Sequence, residues 1–120
     1  MPAGPRRSQS ELLLDLMFHG LRVLDKEMNS VAIELLSTFG SKPVQRLVLV
    51  ASSRKNPSSY RLRVLSALER IVTIYRLDTS SFLDLNVLLT DRNLAIREAV
   101  CRVLSENAGA GRDTRAVSET

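Results

Sequence analysis

The sequence predicts an all-α fold, a short α-solenoid of about three antiparallel helical hairpins with flexible tails at both ends. Composition is the first reason: 44% of the 120 residues are hydrophobic but only 4% are aromatic, and the chain has 20 Leu and no Trp. That balance favours helices over a β-sandwich or barrel. The second reason is that apolar residues recur at helical spacing in six segments, and the third is that short breaks join these segments into pairs.

The chain divides into one helical domain and two tails. We assign residues 10–107 to the domain, because residues 1–9 precede the first apolar periodicity and residues 108–120 have no core-forming pattern. No apolar run reaches membrane-spanning length, and Asp15 interrupts the segment that a secretory signal would need. The single Cys101 excludes a disulfide within the chain, so a cytoplasmic location is expected.

The first predicted helix, residues 11–25 with Ser10 as its N-cap, is apolar around more than half of its circumference. A terminal hairpin of a solenoid usually carries a polar outer face instead. We therefore identify a docking face on this helix for a partner or for self-association, with coverage by the N-terminal tail or by a globular closure as the alternative. Its candidate residues are Leu13, Leu14, Met17 and Phe18.

The second helix, VAIELLSTF, has Asn29 or Ser30 as its predicted N-cap and ends at Gly40. A third helix starts near Pro43, and its apolar residues follow the i, i+3, i+4, i+7 pattern. The run LVLVA within it is also compatible with a buried strand, but the helical flanks favour a helix. Because a central hairpin has neighbours on both sides, the segment QRLVLVA is predicted to be the helix most covered all round.

The second half of the chain supplies three more helices. A long one runs from Tyr60 to about Tyr75, a short one carries Leu85 and Leu88, and the last has one apolar face that includes Val100. The second members of the three pairs begin near residues 29, 58 and 93, which gives spacings of 29 and 35 residues. Such spacings are typical of stacked helical hairpins.

Two segments carry a more specific pattern. The segment LLTDRNLAIREAVCRVL resembles a HEAT repeat, with Asp91 in the turn and Ile96-Arg97 as the aliphatic-Arg step. The segment YRLRVLSALERI resembles the second helix of another repeat, with Leu62-Arg63 at the same step, although Asn56-Pro57 replaces the Asp turn. A weaker third copy, LRVLDKEMNSVAIELLSTFG, lacks the Arg.

The resemblance to the HEAT family implies a right-handed stack whose second helices line a concave face. It also implies binding of proteins, or sometimes of nucleic acid, rather than one particular chemistry. Arg63 and Arg97 then have two candidate roles. Either they contact a ligand on the concave face, or they hold turn carboxylates and main-chain carbonyls between repeats.

Positive charge is concentrated in the middle of the chain. Residues 41–77 contain eight basic residues and one acidic residue, a net charge of +7, whereas the whole chain has a net charge of +4. Such a segment attracts an acidic protein or nucleic acid, unless acidic neighbours such as Asp84 and Asp91 compensate it. The candidate interaction residues are Arg54, Lys55, Arg63 and Arg70.

No residue pattern indicates catalysis. Asp15 and His19 lie one helical turn apart, but no nucleophile motif accompanies them, and the sequence contains no metal-ligand or phosphate-loop signature. We expect no cofactor and no metal, and we predict a non-enzymatic protein-interaction module. The alternative is a helical repeat protein that binds nucleic acid through the basic segment.

Overall fold

The computed structural model describes residues 8–79 and 82–106, and every regular element among them is a helix. No strand occurs in these residues, so the all-α prediction is confirmed. The elements are α1 (Gln9–Arg22), α2 (Lys26–Ser37), α3 (Val44–Ser52), α4 (Ser58–Tyr75), a 3-10 helix (Leu83–Thr90) and α5 (Leu94–Glu106). The predicted tails lie outside the described residues, except for Ser8 and Gln9 at the start of α1.

Helix α1 begins two residues earlier than predicted. Its N-cap is Ser8, whose hydroxyl accepts a hydrogen bond from the Glu11 backbone N–H at 3.1 Å, while the Ser8 N–H donates to the Glu11 carboxylate at 3.2 Å. Ser10 was the wrong choice because only Ser8 has a Glu three residues downstream, as a reciprocal capping box requires.

Helix α2 also begins earlier, with Asp25 as its N-cap. The Asp25 carboxylate accepts hydrogen bonds from the backbone N–H groups of Glu27 and Met28, at 2.9 and 3.1 Å. The predicted cap Asn29 lies inside the helix, and its side-chain amide donates to the Gly20 carbonyl at 2.7 Å. The amide of Asn29 therefore donates to a carbonyl near the C-terminal end of α1 and does not cap the start of α2.

We expect Asp25→Ala to lower the free energy of unfolding by about 1 kcal/mol, because two backbone N–H groups of α2 lose their acceptor. Ser30→Ala is the matched control. Ser30 was the other predicted cap but lies exposed within α2, where alanine is the better helix former. Urea unfolding followed by circular dichroism measures both, and equal effects of the two changes would contradict the assignment of Asp25 as the cap.

The segment LVLVA is helical, as predicted, and lies in α3. Its residues Leu47, Val48 and Ala51 are buried, whereas Leu49 is exposed, so α3 is not covered all round. The most enclosed helix is instead α4, which packs against α1, α2, α3 and α5. The prediction placed the most enclosed helix in the correct hairpin but in the wrong member of it.

The helices pack in three successive pairs. The first pair is α1 with α2, the second is α3 with α4, and the third is the 3-10 helix with α5. Helix α4 packs against α2 of the first pair and α5 of the third, and α3 packs against the 3-10 helix. A core of aliphatic side chains therefore runs through all three pairs. Among the described residues, no helix is both long enough and apolar enough to cross a membrane.

Candidate interaction surfaces

Two arginines of the basic segment 41–77 lie at an ionic contact between the second and third pairs, and only one of them, Arg54, is a predicted interaction residue. Arg61, only 4% exposed, donates from Nη2 to the Asp91 carboxylate at 2.9 Å and from Nε to the Ala51 carbonyl at 3.1 Å. Arg54 lies 3.7 Å from the same carboxylate oxygen and is largely exposed. Asp91 therefore compensates two positive charges, as the sequence analysis allowed for this residue.

The carboxylate of Asp91 is stabilised in its ionised form. The backbone N–H of Asn93 donates to it at 2.9 Å, and this contact, followed by the hydrogen bond from Arg61, lowers the pKa of Asp91 below its usual range. The same turn starts α5, because the Asn93 side chain accepts from the Ala95 N–H at 2.8 Å. Asp91 thus joins the second pair to the N-terminal turn of α5.

Sequence reasoning missed Arg61, although the sequence contained a signal. Arg61 precedes Val64 by three residues and Leu65 by four, so it lies on the apolar stripe of α4 instead of its polar side. An arginine at such a position needs a buried partner. The position of Arg61 on this stripe therefore indicates an acidic partner in a neighbouring turn.

Arg63 and Arg97 both bind main-chain carbonyls. Arg63 donates to the carbonyls of Leu21 and Arg22 at the end of α1. Arg97 donates to the Asp91 carbonyl at 2.6 Å, within its own turn. The Arg63 contact matches the structural role considered for these arginines, because it joins the second pair to carbonyls at the end of α1, whereas the Arg97 contact stays within one hairpin.

Arg70 has a different environment on α4. Its Nη2 lies 3.4 Å from the Glu34 carboxylate on α2, and both side chains are largely exposed. A similar pair connects α4 to α5, with Arg102 Nε 3.4 Å from the carboxylate of Glu69. Both pairs adjoin a groove of about 390 Å³ on α4, the α4 groove. Its lining residues are Ser66, Glu69, Arg70, Thr73 and Ile74.

The four candidate basic residues do not form one surface. Arg54 and Lys55 lie in the turn between α3 and α4, Arg63 contacts the end of α1, and Arg70 contacts α2. Arg63 and Arg70 share one side of α4, and that side is directed towards the first pair.

The predicted docking face of α1 needs correction. Leu14, Met17 and Phe18 are buried, and only Leu13 of the four is exposed. Phe18 is covered by Arg46 of α3, whose guanidinium carbon lies 4.4 Å from the ring centroid. The same Arg46 forms an ion pair with Asp15 at 2.7 Å. The second pair therefore covers the side of α1 that the prediction left open.

A different apolar surface is exposed on the first pair. Between α1 and α2 lies a groove of about 260 Å³ whose floor includes Gly20 and Ala32. Its exposed aliphatic residues, here called the first-pair face, are Leu13, Leu16, Met28, Val31 and Leu35. Sequence reasoning identified the correct helix for an apolar surface, but the position of the second pair selects which side of that helix stays exposed.

Neither tyrosine lies beside the candidate basic residues with its ring placed for a nucleic-acid base to stack on. Tyr60 is buried, and this burial raises its pKa, while Arg22 lies over its ring at 5.6 Å. The Tyr75 hydroxyl donates to the Ser37 carbonyl. Within residues 8–79 and 82–106, no group of three or more His, Cys, Asp or Glu side chains is placed to hold a metal ion.

Comparisons with models of known protein families, with curated proteins and with solved structures found no match to this chain.

Proposed function

We propose that this chain is a non-enzymatic protein-interaction module, built as a HEAT-like stack of three hairpins. The packing order supports this, because α4 lies between α2 and α5, as second helices follow one another in stacked hairpins. The carbonyl contacts of Arg63 support it too, since they join two successive pairs, which is the structural role that the resemblance gives to this arginine.

The α4 groove is the proposed binding site, and its partner is an acidic protein segment. The exposed Glu34–Arg70 pair carries this proposal. Exposed ion pairs contribute only about 0–1 kcal/mol, so a partner carboxylate can replace Glu34 at Arg70 at little cost. The Glu69–Arg102 pair offers a second such exchange on the other side of α4.

Two further features of the groove favour a polypeptide partner. Thr73 and Ser66 present hydroxyl groups that can bond a main chain, and Ile74 presents a half-exposed aliphatic side chain. Nucleic acid is less well supported, because Arg61 and Arg63 bind groups inside the protein and both tyrosines are engaged elsewhere. Stacking aromatics, which single-stranded nucleic acid requires, do not line this groove.

Photo-cross-linking on the full chain tests the proposal. A photoreactive residue at Thr73, in the groove, is expected to capture a protein from a cell extract of the source organism, before and after nuclease treatment. The matched control has the same group at Asn86, which is exposed on the 3-10 helix. Capture at Thr73 but not at Asn86 is expected.

Charge reversal supplies the second arm. Arg70→Glu with Arg102→Glu is expected to reduce capture at Thr73 at least tenfold, because like charges then oppose the acidic partner. Arg76→Glu with Arg92→Glu changes the net charge equally, at exposed positions outside the groove, and is expected to leave capture intact. Undiminished capture by the first double variant would refute the acidic partner, and recovery of nucleic acid alone would favour the alternative function.

A further inference from the structure

The first-pair face lies at one end of the series of helix pairs, and its residues are highly exposed for their type. Leu16 is 66% exposed and Val31 is 53% exposed, although both are aliphatic. Leu12 on α1 and Leu24 in the turn that follows α1 are exposed on the same pair as well. Contiguous apolar surface of this kind on a soluble protein marks an interaction site.

Residues 1–7 and 107–120 hold little that could cover this face. Residues 1–7, with the sequence MPAGPRR, contain one large apolar side chain besides two prolines and carry two positive charges. Residues 107–120, with the sequence NAGAGRDTRAVSET, contain a single branched aliphatic residue, Val117. Neither segment has the repeated large aliphatic residues that fill a groove between two helices.

We propose that a second copy of this chain docks on the first-pair face, so that two first pairs meet about a two-fold axis. The proposal concerns a different surface from the α4 groove and does not depend on the proposed function. A two-fold interface requires a surface that is complementary to itself. A groove between two helices, bordered by ridges of Leu, Met and Val, meets that requirement because the ridges of one copy pack into the groove of the other.

The charge distribution favours a second copy. Of the residues that line the groove, only His19 is ionisable, and the others are aliphatic, Met or Gly. A face with charges of one sign would repel its symmetry mate, whereas this face brings no like charges together at its centre. Oppositely charged Lys26 and Glu27 lie exposed at the start of α2, on the margin of the pair.

The size of the face also fits. A stable dimer buries about 800 Å² on each partner, of which roughly 60% is apolar, or about 480 Å². Seven aliphatic or Met side chains on the first pair are between 44% and 89% exposed, and together they offer apolar area of that order. They are Leu12, Leu13, Leu16, Leu24, Met28, Val31 and Leu35.

The third pair has a more polar surface. Its two helices expose three large aliphatic residues, Val87, Leu89 and Leu94, against seven aliphatic or Met residues on the first pair, and they also expose Asp84, Asn86, Glu98 and Ser105. Pairing through the first-pair face would bury the apolar ends and leave these polar ends outward, as the terminal units of a stacked array require. The dimer therefore closes and does not extend into a filament.

Sedimentation equilibrium of the full chain is the first test. At roughly 100 μM the wild type is expected to be a dimer, since a micromolar dissociation constant suffices for that. Val31→Asp is expected to weaken the dimer by about 100-fold or more, because the two-fold axis places the unpaired charge in the interface twice. Val87→Asp is the matched control, since Val87 is 55% exposed but lies on the third pair, and it is expected to leave the dimer intact.

Each other outcome is informative. A monomeric wild type, species larger than a dimer, or a dimer that resists Val31→Asp would overturn the proposal. Circular dichroism checks that the variants remain folded, and Leu16→Ser provides a milder change on the same face, with the same expected direction. If the wild type is monomeric and the chain without residues 1–7 forms a dimer, the N-terminal segment occupies the face, and this result also overturns the proposal.

The single cysteine gives a distance test without further mutation. Cys101 is exposed on α5 of the third pair. In the dimer the third pairs lie at opposite ends of a series of six helix pairs, so five steps between neighbouring pairs separate them. With about 8–10 Å between neighbouring helices, spin labels on the two Cys101 residues are expected roughly 40–50 Å apart. Pulsed electron paramagnetic resonance measures this distance, and a separation below about 25 Å would place the interface on the third pair instead.

Discussion

Asp91→Ala is expected to lower the free energy of unfolding by about 3–5 kcal/mol, which is a large part of the stability of a domain of this size. The reason is Arg61, which is almost completely buried and would lose its carboxylate partner. A buried guanidinium without a counter-ion retains the full cost of its removal from water. Urea unfolding followed by far-UV circular dichroism gives the measurement.

Two further variants separate this explanation from a general effect of removing a carboxylate. Asp84→Ala makes the same change at an exposed position in the neighbouring 3-10 helix, and we expect it to cost less than about 1 kcal/mol. Arg61→Leu combined with Asp91→Ala is expected to cost less than Asp91→Ala alone, because no unpaired charge remains. Equal losses for Asp91→Ala and Asp84→Ala would show that Arg61 does not depend on Asp91.

The pH dependence of unfolding provides a second measurement on Asp91. Because its pKa is lower in the folded state than in the unfolded chain, its ionised form favours folding at neutral pH. That contribution is complete above about pH 4 and is lost as the pH falls through the lower folded pKa. The stability of the wild type should therefore decline on acidification more steeply than that of Asp91→Asn.

The sequence predicted the positions of the helices well because apolar periodicity marks them, although it did not indicate that residues 83–90 form a 3-10 helix. It predicted their starting points less well, because several residues near each start can cap a helix. Ser8 and Ser10 have the same side chain, and only the position of Glu11 distinguishes them. Asn29 is a good N-cap by residue type, yet its amide serves the preceding helix, a long-range choice that local propensity does not contain.

The surfaces were harder to predict than the helices. Periodicity identified α1 as apolar around most of its circumference, but the packing of α3 decides that Phe18 is buried and Leu16 exposed. Likewise, the net charge of the basic segment was evident, but Asp91 and Glu34, which pair with its arginines, lie 30 and 36 residues away from them in the chain. The sequence therefore indicated that Asp91 could compensate positive charge, but the choice of arginine that each carboxylate contacts depends on tertiary structure.

Leu68→Ala is expected to lower the free energy of unfolding by about 2–5 kcal/mol, as removal of a fully buried leucine side chain does. Leu68 lies in α4, which packs against four other helices, and it is 0% exposed. Leu49→Ala is the matched control: it makes the same change in α3, the helix that the sequence predicted to be most enclosed, but Leu49 is 54% exposed. We expect that change to cost less than about 1 kcal/mol, because most of the side chain already contacts water.

If Leu68→Ala unfolds the protein, Ile71→Val, expected to cost about 0.5–1.5 kcal/mol, tests the same buried face of α4 with a smaller deletion. Losses of similar size for Leu68→Ala and Leu49→Ala would mean that α3 is as enclosed as α4, and the arrangement of the three pairs around α4 would then be wrong.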